Sequence, residues 1–244
     1  MRPRRCSAFT LVELLVVIAI ISILLMLLSP SISRIMEITR RTGCENNHHQ
    51  IATSLAGYTA DYGGYLCYPN WLGPESSGSW LGPGWLYWYR QKLNGGSVWV
   101  EADRQKGALF SYHGSHSPYR CPLDSPPWTI GPTHAITSYL MNGAAISYGR
   151  DWTSTTVGPL FRITEFYPTD IMFWEAEEAA PYPPFNDGAS YPGEGLTRRH
   201  KDGATFGCVD GHAEYLTRAQ FDAETVRSSQ RTRLWCNPAT ANGQ

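Results

Sequence analysis

Residues 8–28 read AFTLVELLVVIAIISILLMLL, and this stretch decides the fold of the amino-terminal part of the chain. The twenty residues from Phe9 to Leu28 carry a single charge, Glu13. A helix of this length rises about 30 Å, which matches the hydrocarbon thickness of a bilayer. We therefore predict a transmembrane helix over residues 9–29.

The segment before the span sets the expected orientation. Residues 1–8, MRPRRCSA, contain three arginines and no acid. Positive charges that flank a membrane span stay on the cytoplasmic side. We expect a cytoplasmic amino terminus, with the remainder of the chain on the other side of the cytoplasmic (inner) membrane.

Glu13 is the residue that distinguishes between the possible roles of this apolar span. An ordinary secretory signal has an apolar stretch of only about 7–15 residues. A plain signal anchor fits the length but does not need an acid. An ionisable side chain within an apolar span is costly unless it is paired, so its presence suggests a function.

The segment Ala8-FTLVE, followed by an apolar helix, resembles the prepilin cleavage and methylation signal of type IV pilins and type II secretion pseudopilins. The resemblance implies that a prepilin peptidase cuts between Ala8 and Phe9 and methylates the new amine of Phe9. It also implies that Glu13 pairs with the amine of a neighbouring subunit and so sets the register of a filament. Ala8 departs from the glycine that is usual in this family, but it is also small.

The helical pattern continues beyond the span. Ile51, Leu55, Tyr58 and Tyr62 recur at helical spacing, and Gly63-Gly64 ends the pattern. We predict one helix from residue 9 to about 62. Residues 30–62 would form a stalk that enters an extracytoplasmic domain over residues 63–227. A polar tail, residues 228–244, is expected to be mobile unless Cys236 ties it down.

Three further segments resemble a subfamily of pseudopilin-like proteins known from planctomycete-type bacteria. Cys44, Asn47, Gln50 and Ile51 follow the basic pair Arg40-Arg41 in a pattern of that subfamily. YRCPLD (119–124) and SYLMNG (138–143) resemble other segments of it. The neighbouring pair His48-His49 is expected to lie on a solvated helix face rather than to bind metal.

The second landmark is RHKDGATFGCVDGHAEYL, residues 199–216. Asp210-Gly211 separates two short runs and favours a tight hairpin, because both residue types can take positive φ. The spacing of His200, nine residues and then Asp210-Gly211 resembles the prepilin-type processing-associated motif. We expect His200 and Asp210 to form a structural hydrogen-bonded clasp, and the alternative is a metal site that includes His212. No metal or cofactor is expected.

The expected fold class is α+β and pilin-like, with the long helix packed on a small antiparallel sheet. IMFWE (171–175) reads as a buried strand. The acids Glu175, Glu177 and Glu178 that follow it are expected to be solvated. We predict no catalytic residues and no enzymatic activity.

Composition leaves one alternative function and one open question. The formal net charge is -1, which offers no attraction for nucleic acid. Exposed aromatic side chains would suit a membrane-anchored carbohydrate-binding protein, although core packing is the commoner role. The cluster in question is Trp80, Trp85, Tyr87, Trp88 and Tyr89. Cleavage before Phe9 removes Cys6 and leaves five of six cysteines, so at most two disulfides form, in a connectivity that stays open.

The function implied by the resemblance is a pilin or pseudopilin subunit of a type II secretion-like or type IV pilus-like filament. The implied partners are the prepilin peptidase, other subunits and an inner-membrane assembly platform. The implied location is a single-pass anchor in the cytoplasmic membrane, or a filament assembled from it.

Overall fold

The computed structural model describes residues 9–71, 83–88, 99–149, 160–177, 184–226 and 229–244. Ala8 and the rest of the leader lie outside these ranges, as do Trp80, Tyr89 and Glu178. The chain divides into two units, and the boundary falls between Thr39 and Arg40.

Helix α1 runs from Leu11 to Asp61 as one uninterrupted element, with Pro30 inside it. The prediction of one long helix is confirmed. Within the first unit its apolar side chains are exposed, with Leu11 at 79% and Met26 at 77%. By length and composition α1 is a candidate to cross a membrane, and none of its most apolar window is buried.

The part of α1 in the second unit has one buried face. Burial begins at Cys44 and recurs at Ile51, Leu55 and Thr59, a spacing that keeps these side chains on one side of a helix. Ile51 and Leu55 belong to the same apolar core as Met141 and Phe173 of the sheet. This face attaches the helix to the domain.

A five-stranded sheet forms the centre of the second unit, in the order β3-β1-β2-β4-β5. All pairings are antiparallel except that of β1 with β3, which is parallel. The α+β prediction is confirmed, whereas the sheet is mixed rather than wholly antiparallel. The strands are β1 (Leu140–Asn142), β2 (Ile171–Trp174), β3 (Ala189–Ser190), β4 (Gly203–Cys208) and β5 (Ala213–Thr217), and the short helices are α2 (Phe110–His113) and α3 (Arg218–Thr225).

Both faces of the sheet are covered. Helix α1 packs on one face, where His48 contacts the carbonyl oxygen of Thr205 in β4. The other face buries Trp174 and Phe206 together with Phe221 of α3 and Leu234 near the carboxyl end. Strand β2 contributes Met172 and Phe173 to one core and Ile171 and Trp174 to the other, and its register shifts between Ile171 and Phe173.

The sequence located two strand features correctly. All four residues of β2 are buried, as expected for an apolar run. Strands β4 and β5 form the expected hairpin, with Thr205 opposite Tyr215. Gly211 has a φ of +91°, whereas Asp210 does not have a positive φ.

Residues 229–244 pack on the sheet through buried apolar side chains. Leu234 and Cys236 are fully buried. The Asn142 side-chain amide donates to the carbonyl oxygens of Ile171 (2.8 Å) and Leu234 (3.0 Å). Cys236 is a free thiol, so apolar burial and these hydrogen bonds hold the segment rather than a disulfide at Cys236.

The aromatic side chains considered for carbohydrate binding are mainly buried, as far as the structure describes them. Trp85 is fully buried and its Nε1 donates to the Gly188 carbonyl oxygen at 2.8 Å. Tyr87 stacks on Trp99 with 3.9 Å between ring centroids. These contacts support core packing rather than an exposed binding surface.

Glu194, in the turn after β3, is expected to make stability fall as the pH rises. Burial raises the pKa of this carboxyl to about 7, while the Ser190 hydroxyl, which donates at 2.6 Å, opposes the rise. The folded state therefore holds the proton more tightly than the unfolded chain. The free energy of unfolding should fall by about 2 kcal/mol between the ordinary glutamate pKa and pH 7.

Denaturant unfolding of the full chain in detergent, followed by tryptophan fluorescence, measures this fall. Glu194→Gln should flatten the pH dependence over that window. Glu165→Gln supplies the matched control, because it makes the same chemical change at an exposed glutamate of the same unit. Equal profiles for wild type and Glu194→Gln would contradict the prediction.

Candidate functional site

The amino-terminal end of α1 carries a capping box. The Thr10 backbone N–H and hydroxyl both donate to Glu13 Oε2, at 2.9 and 2.7 Å. The Glu13 backbone N–H in turn donates to Thr10 Oγ1 at 3.3 Å. This reciprocal pattern satisfies two donors that a helix end otherwise leaves free.

Two consequences follow for the predicted processing site. Phe9 lies just before the helix and is 76% exposed, so the bond to be cut adjoins the helix end rather than its interior. Glu13 already has a local partner in Thr10. An acid among apolar side chains is costly unless it is paired, and Thr10 supplies a partner within the same helix.

His200 lies at the other predicted landmark, and it is buried. Its Nε2 is 3.1 Å from Glu175 Oε2 and 3.4 Å from Cys121 Sγ. Burial lowers the pKa of His200, but the contacts with Cys121 and Glu175 outweigh it and raise the pKa to about 10. Glu175 is fully buried, so the expectation that it is solvated is wrong.

Asp210 and Gly211 occupy the hairpin turn at the opposite end of β4 from His200. The Asp210 carboxylate accepts from the His212 backbone N–H at 3.0 Å and contacts its ring Nδ1 at 2.5 Å. The expected clasp between His200 and Asp210 is therefore wrong. Gly211 has a positive φ in this turn, a conformation that glycine adopts with less strain than other residues.

Asp124 is the centre of a buried polar network. Its carboxylate is 2.8 Å from Arg120, 3.3 Å from Arg199 and 3.5 Å from His134. Burial alone would raise the pKa of Asp124, but the His134 hydrogen bond and both arginines hold it well below its ordinary range. Arg199 also reaches Glu175 at 3.3 Å, so the network joins the surroundings of His200.

Helix α1 contributes two side chains to the same region. Asn47 Nδ2 donates to the Arg120 carbonyl oxygen at 2.8 Å and to the Tyr139 hydroxyl at 3.0 Å. His48 is fully buried, and burial lowers its pKa to about 4. The expectation of a solvated His48-His49 face is therefore wrong for His48, although His49 is exposed.

Two cysteines meet at this point. Cys44 Sγ of α1 lies 2.8 Å from Cys121 Sγ, and both thiols are buried. Gly43 permits the approach, because a Cβ there would lie 3.1 Å from Pro122 Cγ. The segments noted in the sequence therefore meet in space, at Cys44, Asn47, Cys121, Tyr139 and His200.

Sequence reasoning missed the partners within this cluster. Nothing in the spacing of Asp124 or Glu175 indicates which basic side chain each one faces, because the partners come from distant segments. The capping box could have been found, since Thr10-x-x-Glu13 before an apolar run is its usual signature. The resemblance of YRCPLD to other proteins was the available signal for Cys121 and Asp124.

The comparisons with known proteins agree with the amino-terminal assignment. A family model, the prokaryotic N-terminal methylation motif, matches residues 3–29. The ComG operon protein 3 homolog of Bacillus licheniformis is 34% identical over 72 residues, which cover 30% of this chain and 72% of that protein. No solved structure matches the chain.

The single apolar amino-terminal helix and the methylation motif fit a single-pass, membrane-anchored protein. They point to a structural subunit rather than to a known enzyme. With the related ComG protein, they establish that the chain belongs to the type IV pilin-like proteins.

Proposed function

We propose that the chain is a pilin or pseudopilin subunit that assembles into a type II secretion-like or type IV pilus-like filament. The observation that carries the proposal is the exposed apolar surface of α1, which lies largely within the methylation motif and bears one acid in its first turn. The precursor is cut between Ala8 and Phe9 by a prepilin peptidase, and Phe9 is then methylated.

Assembly transfers the helix from lipid into a bundle of neighbouring helices. Lipid tails and leucine side chains are similarly apolar, so packing and polar contacts between helices decide the outcome. Glu13 supplies the polar contact by pairing with the Phe9 amine of the next subunit. A charge that is left unpaired in an apolar setting is unfavourable. The subunits therefore favour the axial register in which Glu13 meets the amine of the next subunit.

The topology follows from the flanking charge. The arginines of residues 1–8 stay in the cytoplasm, where the peptidase acts before assembly. The domain over residues 63–227 faces the extracytoplasmic side, and the assembly platform in the inner membrane is the further partner. Nucleic acid has no part in this proposal.

The proposal predicts that the chain appears in a filament fraction only when the peptidase is present. Surface shearing or gentle membrane lysis followed by ultracentrifugation should pellet the mature chain from wild-type cells. In cells without prepilin peptidase the chain should remain in the membrane at precursor mass. Immunogold electron microscopy of the pellet identifies the filaments that contain it.

A soluble cytosolic protein from the same cells serves as the contamination control for the pellet. If the chain pellets equally with and without peptidase, aggregation explains the pellet and the filament proposal fails. If the mature chain is abundant but never found in a filament, a membrane tether replaces the filament subunit as the interpretation.

A further inference from the structure

Four ligand-type side chains converge inside the second unit. Cys44 comes from α1, Cys121 from the loop before β1, Glu175 from the end of β2, and His200 from the turn before β4. One ligand atom from each lies within 4.8 Å of every other, and all four residues are buried.

We propose that Cys44, Cys121, Glu175 and His200 bind one zinc(II) ion. Two thiolates, an imidazole and a carboxylate are ligands that zinc takes in four-coordinate sites. The set mixes soft sulfur with nitrogen and oxygen, which suits zinc better than calcium or magnesium. The sequence alone led us to expect no metal, because these four residues are far apart along the chain.

Two edges of the cluster lie close to those of a tetrahedral zinc site, and a third is shorter. With zinc about 2.0–2.3 Å from each ligand, the ligand atoms of a tetrahedron lie about 3.3–3.7 Å apart. His200 Nε2 is 3.4 Å from Cys121 Sγ and 3.1 Å from Glu175 Oε2. The two sulfurs are 2.8 Å apart, so zinc would spread them by about 1 Å.

Outer contacts reach two of the four ligands. The Leu123 backbone N–H points at Cys121 Sγ at 3.4 Å, and such a donor stabilises a thiolate. Arg199 and the Thr205 hydroxyl reach Glu175, at 3.3 and 3.4 Å. Outer contacts of this kind orient carboxylate ligands.

The charges also balance. Zinc binding releases the two thiol protons and the proton of the His200 imidazolium, so the ion with its two thiolates, imidazole and carboxylate carries a single negative charge. The carboxylates of Glu175 and Asp124 remain matched by the guanidinium groups of Arg199 and Arg120. A buried charge that is matched in this way avoids the main cost of placing an ion in the interior.

A disulfide between Cys44 and Cys121 is the competing use of these sulfurs. It would explain two of the four side chains, but not the burial of an imidazole and a carboxylate that face the same sulfurs. It would also leave His200 and Glu175 beside a neutral, weakly accepting group. Zinc accounts for all four, and it would fasten α1 to both the loop before β1 and the sheet.

The test measures metal in the full-length chain, extracted in detergent and purified through a tag that does not bind metals, without chelators. Elemental analysis should find about one zinc per chain. Cys44→Ala and His200→Ala should each lose it. Cys67→Ala is the matched control, because Cys67 is an equally buried cysteine outside the cluster, and it should retain the zinc.

A measurement on the wild type alone guards against variants that fail to fold. X-ray absorption at the zinc edge should show two sulfurs at about 2.3 Å and two lighter ligands at about 2.0 Å. Metal-free protein whose non-reduced digest links the peptides of Cys44 and Cys121 would overturn the proposal in favour of a disulfide. Zinc without sulfur ligands, or zinc retained in both cluster variants, would also overturn it.

Discussion

Cells that produce Glu13→Ala are expected to contain the mature, methylated protein in the membrane but no filaments. In the proposed filament this carboxylate is the partner of a buried amine, and removal of one member of such a pair costs about 3–5 kcal/mol. Subunit association should weaken on the order of a hundredfold or more at each contact. Quantification of the chain in sheared or pelleted filaments, relative to the membrane fraction, measures the effect.

Glu13→Gln separates the two roles of this side chain. Glutamine preserves the capping box with Thr10, because its side-chain oxygen accepts the same hydrogen bonds. If charge pairing sets the register, Gln and Ala should fail alike. Filaments in the Gln variant alone would mean that helix capping, and not the charge, is what assembly requires.

Asp124→Ala is expected to give the largest loss of domain stability. Arg120 and Arg199 would keep their charges in the interior without their shared acceptor. Unfolding by denaturant in detergent, followed by tryptophan fluorescence, should show a loss of about 3–5 kcal/mol. Because the pKa of Asp124 lies well below its ordinary range, this contribution is present at neutral pH and is lost only in strong acid.

Asp222→Ala is the matched control, since Asp222 is an exposed aspartate in the same unit. Its stability should stay within about 0.5 kcal/mol of the wild type. If Asp124→Ala were equally mild, the buried network would not be a principal support of the domain.

Local signals in the sequence predicted the helix and the strands well. The apolar run after Phe9 and the period of Ile51 and Leu55 define α1 almost to its ends. The apolar run of β2 and the glycine at 211 define a buried strand and a hairpin. Each of these features depends on residues close together in the chain, where periodicity and turn chemistry act directly.

Contacts between segments that are distant in the chain could not be predicted from the sequence. Strand β3 is two residues long and pairs in parallel with β1. No local sequence pattern predicts this pairing. The burial of Glu175 and His48 likewise depends on partners from other segments. An acid after a strand is normally solvated, and that prior failed because Arg199 and His200 arrive from the turn before β4.

Three short segments that were singled out in the sequence meet in the folded domain. Cys44, Cys121 and His200 lie in three separate segments that resemble one subfamily, and the structure brings them together. The role first assigned to His200, a clasp with Asp210, was wrong because the two lie at opposite ends of β4. Two residues of one motif, His200 and Asp210, therefore do not touch, whereas residues from three separate segments do.

The mass of the amino-terminal peptide of the membrane-extracted chain shows whether the chain is processed as a pilin. We expect a peptide that begins at N-methylated Phe9, eight residues shorter than the encoded sequence. A peptide that begins at Met1 would contradict this expectation and leave a plain signal anchor. A peptide that begins beyond Ser29 would contradict it as well, because the helix that carries the filament proposal would have been removed.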